Sequence, residues 1–252
     1  MTFPAEVASP QAPSPMVCKR ASMDFRVILE QALPCGLCVG VHIPPGDDAI
    51  TPAVLARLHP DEAAHARTLH PRRQPSWVAG RLALRQALTR LGHSAGPILA
   101  DDRGAPVLPG GVRGSISHKR AVAVGLAAST LEWSIGVDIE QRHLGRQDIS
   151  RYVLTEAEQA ELAGLSAQAR GQAVMLRFSI KESIYKAVDP HVRRFVGFRE
   201  VDVTPLPDGR VEVAAHLAQG EVFTIDAWWS VEGEHVLTCA RAQPRGSPLV
   251  AD

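Results

Sequence analysis

Phe178-Ser179-Ile180-Lys181-Glu182-Ser183-Ile184-Tyr185-Lys186-Ala187 places one carboxylate and two ammonium groups on a short amphipathic segment. Val174, Phe178, Ile184 and Val188 recur at steps of three and four or their multiples. That period predicts a helix over 167–188 with one buried stripe, stopped at Asp189-Pro190. Glu182 and Lys186 then share a face. At this spacing they are either a solvated pair worth about 0.2–0.5 kcal/mol or groups set for chemistry. Lysine usage favours chemistry: of 27 Lys and Arg only four are Lys, and two of these are Lys181 and Lys186. Where arginine is the habitual surface charge, a lysine marks a place that wants a compact, rotatable point charge.

Ile135-Gly136-Val137-Asp138-Ile139-Glu140 reads as a strand. A period of two sends Ile135, Val137 and Ile139 to one face and Gly136, Asp138 and Glu140 to the other. The two acids are either a solvated strand end or a pair whose repulsion a cation relieves, with Gly136 leaving room beside them. Glu182 adds a third carboxylate. Oxygen-only ligation suits Mg2+ or Mn2+, and Mg2+ commonly shares its shell with a substrate phosphate.

At 252 residues and 45% hydrophobic content the chain can form one large domain or two small ones. Its 27 basic and 27 acidic residues cancel, so no global field draws it to nucleic acid or to an acidic membrane. Neither a run of some 18 apolar residues nor a secretory signal is present, which predicts a cytoplasmic protein without a membrane span. Four cysteines, Cys18, Cys35, Cys38 and Cys239, are too few for a disulfide scaffold. Cys35-Gly36-Leu37-Cys38 is either a redox or half-zinc spacing or a pair of buried thiols beside a strand.

Residues 1–20, rich in Pro, Ala and Ser, are expected to be a disordered extension. Strands are expected at 36–43, 122–126, 133–140, 201–204, 211–214, 222–229 and 236–239, with Asp208-Gly209 as a hairpin turn. Helices are expected from Asp61, from Ser76 to Leu91 with Val78, Leu82, Leu84, Leu88 and Leu91 inward and Arg81, Arg85 and Arg90 elsewhere, and from Thr155 as N-cap to Gly164. The pattern predicts an α+β fold of two packed lobes, 21–131 and 132–243, followed by a flexible tail at 244–252.

Gly136-Val137-Asp138-Ile139-Glu140 and Phe178-Ser179-Ile180-Lys181-Glu182-Ser183-Ile184-Tyr185-Lys186 together resemble the two signature motifs of the 4′-phosphopantetheinyl transferases. Ser115-Ile116-Ser117-His118 resembles a third element of that family. The resemblance covers residues 36–242 and is to the two-lobed surfactin type; Trp77-Val78-Ala79-Gly80-Arg81 is similar to its enterobactin-synthase branch, acting in siderophore assembly and nonribosomal peptide synthesis. It implies two similar α/β lobes related by pseudo-twofold symmetry, with coenzyme A in the cleft between them. The 4′-phosphopantetheine group would pass to a serine of an acyl or peptidyl carrier protein, releasing 3′,5′-ADP. By resemblance Asp138, Glu140 and Glu182 hold Mg2+, with Mn2+ a substitute. Lys186 and Lys181 meet phosphate, Ser117 and His118 bind the coenzyme, Arg73 (or Arg72) and Arg81 take its 3′-phosphate, and Glu158 takes part in the chemistry.

One departure stands out: the family's Gly-Lys-Pro is Gly104-Ala105-Pro106 here, so Arg103 or Arg113 compensates or the nucleotide is held less tightly. The serine's proton goes to Glu182, with His118 as the other candidate base. His65 and His143 read as structural. The carrier is expected near Val153–Leu165 and the 191–198 loop, where Phe195 and Phe198 are either exposed or core. A monomer is expected from the internal pairing of lobes. Two other functions use the same residues: a magnesium-dependent phosphoanhydride hydrolase, and a non-catalytic coenzyme A or carrier-binding module.

Overall fold

The computed structural model describes residues 24–45, 50–142 and 148–245. The expected extension at 1–20, Cys18, His143 and residues 246–252 of the expected tail lie outside the described residues. Strands β1 (Val27–Leu33) and β2 (Gly36–His42) form a hairpin, followed by helices α1 (Pro52–Leu55), α2 (Pro60–Thr68) and α3 (Gln74–Arg90). Strands β3 (Arg113–Lys119) and β4 (Val122–Ala128) complete an antiparallel sheet of order β1-β2-β4-β3. Strand β5 (Ser134–Gln141) opens a second sheet, and helices α4 (Ser150–Val153), α5 (Glu156–Glu161) and α6 (Ala167–Val192) follow it. Strands β6 (Val201–Pro205), β7 (Arg210–Ala215), β8 (Phe223–Glu232) and β9 (His235–Pro244) complete the order β5-β9-β8-β7-β6. The fold is α+β, with one long helix laid on each sheet.

Glycine lets each helix approach its strand. A Cβ on Gly125 of β4 would stand 2.3 Å from the Leu84 nitrogen of α3, and one on Gly136 of β5 would stand 1.9 Å from the Ser183 carbonyl of α6. Backbone therefore rests on backbone at both places, which no larger residue permits. The lobes meet where β3 runs beside β5: Val137 N donates to Ser115 Oγ at 3.1 Å. Cys35, Cys38, Val124, Leu126, Ile135, Val137, Leu237 and Cys239 form one buried cluster there. Cys35 and Cys38 are thus core thiols at the lobe junction, and His65 packs on Trp77 with ring centroids 5.1 Å apart.

Three expectations need correction. Helix α6 does not stop at Pro190 but runs to Val192. Proline removes its own N–H and crowds the carbonyl four residues back, but the last turn still closes through Arg193 N to Asp189 O at 2.9 Å, with Arg193 in the left-handed region at φ 45°. Arg81 points inward, 7% exposed, with its guanidinium carbon 4.1 Å from the Trp77 ring centroid. Strand β1 was not expected; it is an edge strand whose Val27 and Ile28 stay exposed, and it lacks the apolar run of its partner β2.

Candidate functional site

Asp138 sits mid-strand on β5, 5% exposed. Its Oδ1 accepts from Ser117 Oγ at 2.7 Å and Lys186 Nζ at 2.8 Å, and its Oδ2 from Ser179 Oγ at 2.9 Å. Lys186 makes a second bond to the Val137 carbonyl at 2.9 Å. Two residues along β5, Glu140 is buried and held by Lys119 of β3, whose Nζ lies 3.0 Å from Oε1 and 2.7 Å from Oε2. Oε2 meets Lys119 as an ion pair at 2.7 Å and takes no further hydrogen bond. The Glu182 side chain, one turn before Lys186, makes no hydrogen bond among the described residues.

Burial raises the pKa of Glu140, Lys119 opposes the shift, and the Asp138 charge adds to it. Burial also raises that of Glu182, Lys186 opposes it, and Asp138 and Glu140 reinforce it. Three acids thus feel one another across the β5–α6 contact, each near a lysine or one another's charge. Glu182 and Lys186 line a cleft of about 680 Å³ between the lobes, with Arg103, Arg113, Tyr185 and Asp189 on its walls.

A cationic group lies on the β3 side. Desolvation lowers the His118 pKa, and the charges of Lys186, Arg81 and Arg73 lower it further. Arg81 donates through Nε to the Ile98 carbonyl at 3.3 Å, and burial brings its own pKa down to about 10. Arg73 is exposed, and its guanidinium makes no hydrogen bond among the described residues. An anion between these groups would relieve their mutual repulsion.

Lys181 and Glu158 do not join this centre. Lys181 Nζ is saturated by Glu158 Oε2 at 2.7 Å and by the carbonyls of Val153 and Phe198, both at 2.9 Å. Glu158 caps α5 through Thr155 N at 2.9 Å and holds β6 through Val203 N at 2.9 Å. Five residues apart on a helix means about 140° around its axis, so Lys181 and Lys186 cannot share a face.

Comparison with known proteins shows the family. Residues 134–240 match the family model of the 4′-phosphopantetheinyl transferase superfamily, and residues 61–128 match the 4′-phosphopantetheinyl transferase N-terminal domain. The 4′-phosphopantetheinyl transferase Svp of Streptomyces mobaraensis is 35% identical over 201 residues, 75% of this chain and 81% of that protein. The chain belongs to the 4′-phosphopantetheinyl transferase superfamily. It is also similar to the transferase PptT of Mycobacterium tuberculosis, at 30% identity over 71% of this chain and 83% of that one. Enterobactin synthase component D of Salmonella typhi matches at 29%, over 71% of this chain and 76% of that one. Its class of activity is 4′-phosphopantetheinyl transfer, and the hydrolase and the inert module are not favoured.

Within this transferase the structure gathers Asp138, Glu140, Glu182, Lys186, Ser117 and His118 about the β3–β5–α6 junction and sets Lys181 with Glu158 elsewhere. Sequence reasoning missed Lys119, Ser179 and Asp189. Lys119 was within reach, because each described lysine grips a carboxylate: Lys119 holds Glu140, Lys181 holds Glu158 and Lys186 holds Asp138. As placed, no three His, Cys, Asp or Glu side chains among the described residues are gathered to hold a metal ion. The donor set still fits a hard divalent cation, with three carboxylates within electrostatic reach of one another and the Glu182 side chain making no hydrogen bond among the described residues.

Proposed function

We propose that the chain transfers the 4′-phosphopantetheine of coenzyme A to a serine hydroxyl of a carrier protein in the cleft between the lobes, releasing 3′,5′-ADP. The observation that carries this reading is that Lys186, paired with the buried Asp138, and Glu182 one turn away line one cleft in a chain of this family. Glu182, whose side chain lines the cleft one turn from Lys186, takes the proton of the attacking serine. The serine oxygen forms a bond to the phosphorus that carries pantetheine, and the bond from that phosphorus to the oxygen of 3′,5′-ADP breaks. Lys186 neutralises charge on the departing phosphate. His118, with Arg73 and Arg81, receives the 3′-phosphate, an anion that would relieve the repulsion among these neighbouring groups. Ser117 keeps the Asp138 carboxylate oriented. Asp138, Glu140 and Glu182 would hold Mg2+, or Mn2+ in its place, which when bound supplies neutralising charge to the pyrophosphate.

Lys181 and Glu158, by contrast, support the site: their buried pair ties α5, α6 and β6 together. The carrier serine approaches past the 191–198 loop, where Phe195 is 73% exposed beside a small cavity reaching Glu182. We place the transferase in the cytoplasm as a monomer; no helix among the described residues is long and apolar enough to cross a membrane.

Intact mass of an apo carrier protein incubated with this chain, coenzyme A and Mg2+ tests the reading. A gain of one phosphopantetheine, absent in EDTA and absent for a carrier lacking the serine, is expected. Glu182→Gln is expected to lower the rate by about 100-fold or more with the melting temperature kept. Coenzyme A cleaved without modified carrier would instead point to a hydrolase.

A further inference from the structure

A polar bridge between the lobes lies in the wall of the cleft. Residues 99–107 form a tight hairpin. Asp101 N donates to Ala105 O and Val107 N to Leu99 O, both at 2.9 Å, and Asp101 Oδ1 accepts from Arg103 N at 2.8 Å and Ala105 N at 2.9 Å. Gly104 takes φ 88° to make the turn. The hairpin is therefore a preformed arm, and its tip carries Arg103.

Arg103 reaches across to α6. Its Nε lies 3.0 and 2.8 Å from the two carboxylate oxygens of Asp189, and its Nη2 donates to the same carboxylate, to Tyr185 Oη at 3.1 Å and to the Arg194 carbonyl at 3.2 Å. Asp189 is 8% exposed. The neighbouring Asp102 pairs with Arg193 at 3.0 and 2.7 Å, but both are well exposed, so that pair contributes little. A forked guanidinium on a mostly buried carboxylate holds direction as well as charge.

Position gives this bridge its consequence. Glu182, Lys186 and Asp189 lie at i, i+4 and i+7 of α6 and line the same cleft, as do Arg103, Gly104, Ala105 and Pro106 opposite. The Arg103–Asp189 bridge thus fixes the gap between the hairpin and the helical face that carries Lys186. We infer that Arg103 is a positioning residue: with Asp189 and Tyr185 it forms a clasp that sets the width of the cleft, and so the fit of the nucleotide end of coenzyme A against Lys186. Arg103 acts through α6 and contributes no contact to the reacting atoms. This inference rests on the proposed function for its substrate but not for its geometry.

The test uses Arg103→Lys, which keeps a charge beside Asp189 and so keeps the fold, alongside Arg103→Gln, Asp189→Asn and the double variant Arg103→Gln/Asp189→Asn. Asp102→Asn serves as the control. Carrier modification is followed by intact mass against coenzyme A concentration, and hydrogen exchange is followed in peptides covering 99–107 and 185–194 without ligand. Expected are a KM for coenzyme A raised about tenfold in Arg103→Gln and Asp189→Asn, kcat within about twofold, and a double variant no worse than the worse single one. Arg103→Lys should fall between these and the wild type, and exchange should quicken in those two segments only. Unchanged KM with unchanged exchange would overturn the clasp, as would a loss of kcat that merely tracks a fallen melting temperature. A wild-type protein that modifies no carrier would overturn the transfer reading alone, since exchange in the two segments still decides the clasp.

Discussion

Lys181 and Glu158 lie 2.7 Å apart with side chains 2% and 4% exposed, so neither charge has water to fall back on. Desolvation lowers the Lys181 pKa, and Glu158 opposes that shift. Removing one partner strands the other, whereas removing both need not. Glu158→Ala is expected to cost about 3–5 kcal/mol in chemical denaturation, while the double variant Glu158→Leu/Lys181→Met should cost far less. A catalytic Glu158 would show the opposite pattern, with activity lost in both variants and stability little changed in the single one. Glu200 behaves differently, because hydrogen bonds from Arg194, and then from the Gly197 and Ala218 amides, bring its pKa down to about 2 from 4.5. A carboxylate with a depressed folded pKa stabilises fully above its unfolded value, and that contribution is lost as pH falls through the folded one. Stability measured between pH 4.5 and 2 should therefore fall less steeply in Glu200→Gln than in the wild type.

At the scale of elements, α6 carries the site because it lies directly on β5. Gly136 makes that contact possible, and the groups a side chain there would strike are the Ser183 carbonyl and the Ala187 nitrogen, 1.9 and 2.9 Å from an added Cβ. Neither can swing aside as a side-chain tip would. Gly136→Ala is expected to lower stability by about 1–3 kcal/mol, the range of core overpacking. It should also reduce transfer more than that loss explains, because Glu182 and Lys186 move with the helix; thermal melting and single-turnover rates measure the two effects. The amphipathic period of α6 was plain in sequence, but its end was not. Pro190 forfeits one hydrogen bond yet α6 continues through it to Val192, so Asp189 stays helical and reaches Arg103.

Across the whole molecule the lobes are joined by a small apolar cluster around Cys35 and Cys239 and by polar bridges at the cleft. Coenzyme A bound in that cleft with Mg2+ would touch both lobes and stabilise the assembled form by mass action. At about 100 times its Kd this amounts to about 2.7 kcal/mol. The melting temperature should rise with coenzyme A and Mg2+ together and return towards the ligand-free value in EDTA; an identical melting curve in all conditions would contradict a site shared by the lobes.

That Asp138 and Glu140 share one face of a strand, and Glu182 and Lys186 one face of a helix, was legible because it depends on a local period of two or of four, and the α+β character followed from the same periods. Which partner each charge takes was not legible. Lys181 and Lys186 read alike in sequence, yet the packing of α5 and β6 against one face of α6 turned the first into a buried tie, while the approach of β5 to the other turned the second toward Asp138. The pairing of Arg103 with Asp189 spans 86 residues and carries no period at all. Local backbone geometry sets which side chains share a face, and that much is written in the order of residues. Which faces meet depends on how two sheets and two long helices pack, and only the tertiary structure decided it.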